Sequence, residues 1–202
     1  HTAKLSTDGQ MIVSGGEDEL LKLWTLEGDS IKTIRGFSAP IKNLAISPSG
    51  DRIVTGGGKN NAPEVKLVDP EKGVILADAL DSYAGSGAAL AYTKVIMTGF
   101  AVIGNVANGR IGKGMTTIFI MSYSNMEFSD DGKNILSSLN INVPFIAAKG
   151  EEEDTGNASV TISSLTEDRN KFAPLNKPVS WPLNNSRGVA VYNQDQTKII
   201  VN

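Results

Sequence analysis

The sequence predicts an all-β fold assembled from repeated units of antiparallel strands. A hairpin pattern recurs at intervals of about 40 residues, and it consists of an apolar strand, a Ser/Asp/Gly turn and a second apolar strand. Most copies are followed by a polar turn and further apolar strands. The chain of 202 residues is 40% hydrophobic and contains 21 Gly and 8 Pro, a composition that is typical of compact β proteins with many turns.

The hairpin is the clearest repeated element. Gly9, Gly50 and Gly132 occupy its turn, where a positive φ angle favours glycine. Gly9 and Gly50 are 41 residues apart, and Gly132 lies 82 residues beyond Gly50, which is twice that period. A copy with a shortened turn fits the intervening position, and a looser copy lies near the carboxyl end. The five hairpins are predicted at residues 3–15, 44–56, 89–99, 126–138 and 179–191.

A third strand follows each hairpin, and a fourth strand follows most of them. The Leu-Lys-Leu-Trp pattern of residues 21–24 returns as Val-Lys-Leu-Val at residues 65–68. Polar turns such as residues 27–29 and 71–73 separate the third strand from the fourth. The chain is thus predicted to hold four units of four strands and a fifth unit that lacks its last strand. The third strands are predicted at 21–25, 65–69, 101–105, 160–164 and 198–202, and the fourth strands at 31–35, 74–79, 115–121 and 171–175.

The first unit resembles the WD-repeat β-propeller family, because it carries the Ser, turn Asp and Trp of that repeat as Ser14, Asp18 and Trp24. The resemblance implies a propeller of four-stranded antiparallel blades, about four and three-quarter blades in this chain. A two-sheet β-sandwich is the alternative. The expected blades cover residues 1–36, 37–80, 81–122, 123–176 and 177–202.

The chain departs from the family pattern at the histidine that joins Ser, Asp and Trp in a hydrogen-bonded cluster. Gly36 and Phe37 stand in the Gly-His position, and the only histidine, His1, is too close to Ser6 to fill the equivalent place. We therefore expect apolar packing between sheets to carry more of the stability, with Trp24 as a large buried aromatic.

The strand order leaves one outer strand missing from the last unit. Either the chain is a segment of a longer propeller, which we favour, or it is a five-bladed ring with an open edge. An unpaired strand edge invites association, so we expect possible contact with another molecule there.

The sequence excludes several kinds of chemistry. With no Cys and one His, it cannot form disulfides, Ser-His-Asp or Cys-His triads, or His-rich zinc sites. The glycine-rich residues 104–114 lack the phosphate-loop spacing. We therefore predict no catalytic, cofactor-binding or metal-binding residues. A net charge of −3 without basic runs argues against nucleic-acid binding, and the absence of an uninterrupted apolar run of 18 residues argues against a membrane span. The compartment is unknown, with the cytoplasm favoured.

Residues 140–157 look like a long insertion that carries the acidic run of residues 151–154. We expect a solvated, mobile loop, because like charges repel and extend a segment. Such a loop could dock a basic partner or hold a divalent cation weakly, although no calcium-loop pattern is present. Trp181 is expected on an innermost strand, or else as an exposed contact near the mouth of the ring.

The resemblance implies partner binding on the face where second strands join third strands and one blade joins the next. Exposed Arg and aromatic residues are the favoured contacts there, although Phe37 could instead be a buried plug that replaces the missing His. We expect a non-catalytic protein- or peptide-binding scaffold or sensor module. The alternatives are a small-ligand or glycan binder that uses Trp181 and Tyr83, and an acid/base enzyme, which the apolar inner strands disfavour. The contact candidates are Arg35, Phe37, Lys59, Asn60, Asn61, Tyr83, Glu152 and Glu153.

Overall fold

The structure is a computed structural model that describes residues 2–59, 62–78, 120–146, 152–174, 179–184 and 189–201. All regular secondary structure in these ranges is β-strand. The strands are Thr2–Leu5 (β1), Ile12–Gly15 (β2), Leu21–Trp24 (β3), Ser30–Ile34 (β4), Ile41–Ile46 (β5), Ile53–Lys59 (β6), Ala62–Asp69 (β7), Val74–Asp78 (β8), Ile120–Phe128 (β9), Asn134–Ile146 (β10), Glu152–Leu165 (β11), Phe172–Pro174 (β12), Val179–Asn184 (β13), Ala190–Tyr192 (β14) and Ile199–Val201 (β15).

The described strands form four antiparallel sheets. The first sheet has the order β1-β2-β3-β4 and the second has the order β5-β6-β7-β8. The third sheet has the order β9-β10-β11-β12, with β13 also paired to β11, and β14 and β15 form the fourth. The first two sheets match the predicted units strand for strand, and the four-stranded meander is the blade of a propeller.

The sheets stack in series through three hydrophobic cores. Each core takes side chains from two successive sheets, so the middle sheets bury apolar residues on both faces. This arrangement differs from a sandwich of two sheets. The first core contains Val13, Leu21, Leu23, Ile34, Phe37, Ile41, Leu44, Ile53 and Val68; the second contains Ala45, Val54, Val65, Leu67, Met126, Phe128, Ile135 and Leu139; the third contains Leu136, Val160 and Ala190.

The second and third sheets share a core directly, whereas the sequence analysis expected a further blade between them. Most of that expected blade, residues 81–122, lies outside the described residues. Residues 120 and 121, which we assigned to its fourth strand, are the start of β9, and a bulge opposite Ser138 and Leu139 lets this strand continue.

The fifth predicted hairpin, residues 179–191, is wrong. β13 pairs with Thr155–Val160 of β11, and β14 pairs with β15 instead. The turn that joins β14 to β15 has a non-glycine residue, Gln196, at a φ of 55°. The glycine signal that marked the other hairpins is therefore missing there. β15 is the second strand of its unit and not the third, as we had assigned it.

The expected acidic loop at residues 140–157 is also wrong over most of its length. β10 and β11 form a hairpin in which Asn140 pairs with Ala158 and Ile146 pairs with Glu152. Alternating Ile, Val and Phe between residues 141 and 146 favours this extended structure, since β-branched and aromatic residues suit strands. The acidic run predicts a loop, but the alternation of apolar residues determines the structure here.

Replacing Leu67 by alanine is expected to lower the free energy of unfolding by about 2–5 kcal/mol, because the side chain is 0% exposed between the second and third sheets. Urea unfolding measures the change. Val74→Ala is the control, since Val74 is 44% exposed and its loss is expected to cost less than about 0.5 kcal/mol. A Leu67→Ala cost below about 1 kcal/mol would contradict the packing described above.

Candidate functional site

The sheets have two different ends, and the predicted contact residues that the structure describes belong to one of them. The loop end carries the connections from second to third strands and from one sheet to the next, at residues 16–20 and 35–40 and at the far part of the β10–β11 hairpin. The turn end carries the connections from first to second and from third to fourth strands.

Ser14 and Trp24 meet within the first sheet. The indole Nε1–H of Trp24 donates to Ser14 Oγ at 2.8 Å, across paired strands β2 and β3. Asp18 does not join them, because its Oδ2 pairs with Lys22 Nζ at 2.6 Å and its Oδ1 accepts the Leu20 amide. The hydrogen bond from Lys22 lowers the pKa of Asp18. Trp24 is half-buried, and not fully buried as we had expected.

Arg35 and Phe37 lie on the connection from the first sheet to the second, in opposite environments. Arg35 is exposed, whereas Phe37 is 8% exposed and belongs to the first core. Phe37 therefore fills the position of the missing histidine as a buried apolar side chain. Because it is buried, it is not available for contact with a partner. The end of the connection is tied to the first sheet, because the Ile41 amide donates to the Gly16 carbonyl at 3.0 Å. A Cβ on Gly15 would stand 2.4 Å from Ile41 Cγ2, so this close approach requires glycine.

A largely buried polar group holds the same connection in place. The Ser38 amide and hydroxyl both donate to the carboxylate of Glu64 at the start of the third strand of the second sheet. Lys66 Nζ lies 3.3 Å from Glu64 Oε2 and 3.4 Å from Asp78 Oδ2. Glu64 is 9% exposed, so its charge is stabilised by these partners and not by water.

The contact between Ser38 and Glu64 was not predicted from the sequence. A signal was available, because Glu64 is a charged residue that precedes the buried strand residues Val65 and Leu67. A carboxylate next to a buried strand needs a donor, and Ser38 follows directly after the apolar plug.

Some of the other predicted contacts lie on described strands, and some do not. Lys59 ends β6 and pairs with Ala62, while Asn60, Asn61 and Tyr83 fall outside the described residues. Trp181 lies on β13 opposite Ala158, so it belongs to the third sheet and is not on an innermost strand.

Glu152 and Glu153 lie on β11, opposite Ile146 and Phe145. β9 begins opposite Asn142 and β13 ends opposite Thr155, so this part of the hairpin extends past both described neighbouring strands. The acidic residues are therefore carried by the far part of the β10–β11 hairpin, here called the arm, at the loop end.

At the turn end, in contrast, five of the turns repeat one hydrogen-bonding pattern. In each of five turns the amide of the first residue donates to the carbonyl of the sixth, at 2.8–3.0 Å. The side-chain oxygen of the first residue accepts the amide of the sixth, at 2.7–3.1 Å. An Asp within each turn accepts the hydroxyl or amide group of that first side chain. The turns are Ser6–Met11, Ser47–Arg52, Ser129–Asn134, Thr166–Lys171 and Asn193–Lys198.

Arg169 links three of the turns. Its guanidinium donates to Asp51 from Nε at 2.8 Å and from NH2 at 2.9 Å, and to the Gly132 carbonyl from NH1 at 2.9 Å. Partial burial acts to raise the pKa of Asp51, but the hydrogen bonds from Arg169, Ser49 and Ser47 outweigh it and lower the pKa to about 2. A further link pairs Gln196 with Asp130.

The described part of the chain contains no group of three or more His, Cys, Asp or Glu side chains that could hold a metal ion. Within the same residues, no helix is long and apolar enough to cross a membrane.

Trp24→Phe is expected to lower the free energy of unfolding by about 1 kcal/mol, because it keeps a ring but removes the donor to Ser14. Ser14→Ala removes the acceptor of the same bond. Urea unfolding of both single variants and the double variant measures the coupling, and the double variant should lose less than the sum of the two. Simple additivity would show that the Trp24–Ser14 bond does not contribute.

Asp51→Asn is expected to lower the free energy of unfolding by about 1 kcal/mol near neutral pH, a value discounted for solvent screening because the side chain is 37% exposed. The folded-state pKa lies below 3.8, so the carboxylate stabilises the fold above about pH 4, and this contribution is lost as the pH falls to about 2. Urea unfolding of both proteins across this range should show their difference shrinking with acid. A difference that is independent of pH would contradict the assignment.

The comparisons with known proteins agree with this geometry. The family model described as WD domain, G-beta repeat, matches residues 2–25 and 28–61, which include the first sheet and the first two strands of the second. No match was found among curated proteins.

The solved structures include a similar chain in one titled "Crystal Structure of Mitotic Checkpoint Complex". The TM-score is 0.56 at 14% sequence identity, and the match covers 99% of this chain and 44% of that chain. The chain thus spans less than half the length of this neighbour. The likeness and the four-stranded antiparallel sheets confirm the predicted β-propeller fold class. The family model thus recognises WD repeats in residues 2–25 and 28–61, which supports the predicted resemblance to the WD-repeat family.

Proposed function

We propose that the chain is a non-catalytic scaffold that binds a protein or peptide through its loop end. The observation that carries the proposal is the difference between the two ends. Five turns at the turn end share one hydrogen-bonding pattern and several of them are linked to each other, whereas the loop end presents unequal connections and the arm. Binding residues in rigid folds are found disproportionately on such variable connections.

The loop end offers groups of both charges. Arg35 is exposed on the connection between the first two sheets, and Glu152 and Glu153 lie on the arm. Arg is favoured at interaction hot spots because its guanidinium makes several hydrogen bonds at once. We infer that a partner segment presents an acidic group to Arg35 and a basic group to the arm. Lys59 belongs to the same proposed surface, as do Asn60 and Tyr83 beyond the described residues.

The connection that carries Arg35 is fixed in place by contacts within the chain itself. Ser38 is bonded to Glu64, Ile41 is bonded to Gly16, and Phe37 is buried between the sheets. A preorganised connection loses less conformational entropy on binding, and this favours its use as a contact surface. The structural neighbour comes from a structure whose title names a complex, which agrees with a role in assembly.

Peptides that bind the intact chain are first selected from a random display library. We expect these peptides to bind the Arg35→Glu variant at least tenfold more weakly than the wild type, a loss of about 1.4 kcal/mol in binding free energy. The double variant Glu152→Lys, Glu153→Lys should have a lower affinity for those selected peptides that carry basic residues. Fluorescence polarisation of labelled peptides measures the affinities.

Lys198→Glu is the matched control, since it makes a charge reversal of the same sign as Arg35→Glu at an exposed position on the turn end. It should leave peptide affinity unchanged. Equal losses for Lys198→Glu and Arg35→Glu, undiminished binding to Arg35→Glu, or a library that yields no binder would each contradict the proposal.

A further inference from the structure

Ser38 is an exposed serine whose hydroxyl group is bonded to a largely buried carboxylate. It lies on the connection between the first two sheets, and residues 35–40 of this connection belong to no strand. The hydroxyl and the backbone amide of Ser38 both donate to Glu64, which is 9% exposed. Ser38 can therefore be reached from solvent, although its hydrogen bonds hold the connection against the second sheet.

The residues before Ser38 carry a charge pattern of the kind that protein kinases recognise. Arg35 stands three residues before Ser38 and is also exposed. Kinases select substrates partly by such patterns, because a guanidinium pairs with carboxylates beside the kinase active site. Of the five Arg in the sequence, only Arg35 and Arg52 have a Ser or Thr three residues later. The residue in that position after Arg52 is Thr55, which is 2% exposed, so Ser38 alone offers the pattern at the surface.

A phosphate group on Ser38 is incompatible with the contacts that this serine makes. Phosphorylation removes the proton that the hydroxyl donates to Glu64 and adds nearly two negative charges beside that carboxylate. Lys66 Nζ lies 3.3 Å from Glu64 Oε2 and 3.4 Å from Asp78 Oδ2, so its charge is already shared by two carboxylates. Like charges repel strongly where little water screens them. The phosphate group must therefore move away from Glu64 and take the connection with it.

We propose that Ser38 is a phosphorylation site that switches the connection between an anchored and a released state. In the reaction, Ser38 Oγ bonds to the γ-phosphorus of a nucleoside triphosphate held by a protein kinase, and the bond from that phosphorus to the oxygen that bridges to the β-phosphate breaks. The nucleoside diphosphate leaves, and the hydroxyl proton passes to a base of the kinase. Because residues 35–40 lie between strands, presenting them to the kinase separates no paired strands.

The released state affects the surface that contains Arg35. This step rests on the proposed function, in which Arg35 contacts a partner from a preorganised connection. Loss of the Ser38–Glu64 contacts leaves less of the connection fixed, so binding costs more conformational entropy. The phosphate group also lies three residues from Arg35 and competes with an acidic partner group for its guanidinium. Phosphorylation is thus expected to lower the affinity for the partner.

Incubation of the whole folded chain with ATP, Mg²⁺ and a purified kinase that prefers Arg three residues before serine tests the site. Mass spectrometry of proteolytic fragments should find phosphate on Ser38, and Arg35→Ala should reduce the initial rate of phosphorylation at least tenfold. Ser49 is the matched control within the same chain. It is also exposed and its hydroxyl donates to Asp51 at 2.6 Å, but Ile46 stands three residues before it, so it should remain unmodified. Ser38 left unmodified while a standard substrate peptide is phosphorylated, equal phosphorylation of Ser49, or an undiminished rate for Arg35→Ala would overturn the proposal.

Amide hydrogen exchange of the phosphorylated chain tests the switch without any partner. The amides of Ser38 and Ile41, which are hydrogen-bonded in the unmodified chain, should exchange at least tenfold faster, while those of β10 should be unchanged. Ser38→Ala is the control, since incubation with the same kinase and ATP should not alter its exchange. Equal exchange in the phosphorylated and unmodified chains would overturn the proposal.

Peptides selected on the unmodified chain test the effect on binding. Their affinity should fall at least tenfold when the chain is phosphorylated, whereas the affinity of Ser38→Ala should be the same before and after incubation with the kinase. An unchanged affinity for the phosphorylated chain would overturn the proposal. A library that yields no binder would contradict the proposed function alone, because phosphorylation and exchange are measured without a peptide.

Discussion

The structure depends on the requirement that successive strand residues bury opposite faces of the same sheet. Val54 and Leu67 pack against the third sheet, while Ile53 and Val68, their immediate neighbours, pack against the first. A sheet built in this way is most stable between two others, since each uncovered apolar face costs free energy in proportion to its area. The stacking order and the buried Phe37 both follow from this constraint.

Polar groups in this chain fix the ends of the sheets, while the apolar cores hold the sheets together. The family cluster is reduced to the Trp24–Ser14 bond in the first sheet, and the second sheet has Val68 at the Trp position. Between them, Ser38 and Glu64 anchor the connection from the side where the histidine would stand. At the opposite end, hydrogen bonds from Arg169 to Asp51 join neighbouring turns. Each end of the stack therefore has its own set of polar contacts.

The sequence was sufficient for the fold class and for the first two sheets, because Gly9 and Gly50 mark turns whose residues and spacing repeat closely. It failed where the signal was weak or misleading. Gln196 adopts a positive φ without being glycine, so the last hairpin was misplaced. Glu152 and Glu153 suggested a loop, although their strand is specified by pairing with residues 145 and 146. The Ser38–Glu64 contact joins residues that are 26 positions apart, so the sequence indicates that Glu64 needs a donor but not that Ser38 supplies it. Arg35 could be placed on the correct connection, but the burial of its neighbour Phe37 emerges only from packing.

Amide hydrogen exchange on dilute protein tests the central claim most directly, because it reports the stability of each strand separately. If stability comes from covering both faces of a sheet, β6 and β7 in the second sheet should exchange more slowly than β2 and β3 in the first, where Ile12 and Trp24 are only half-buried. Protection of β2 and β3 that equals or exceeds that of β6 and β7 would contradict the account.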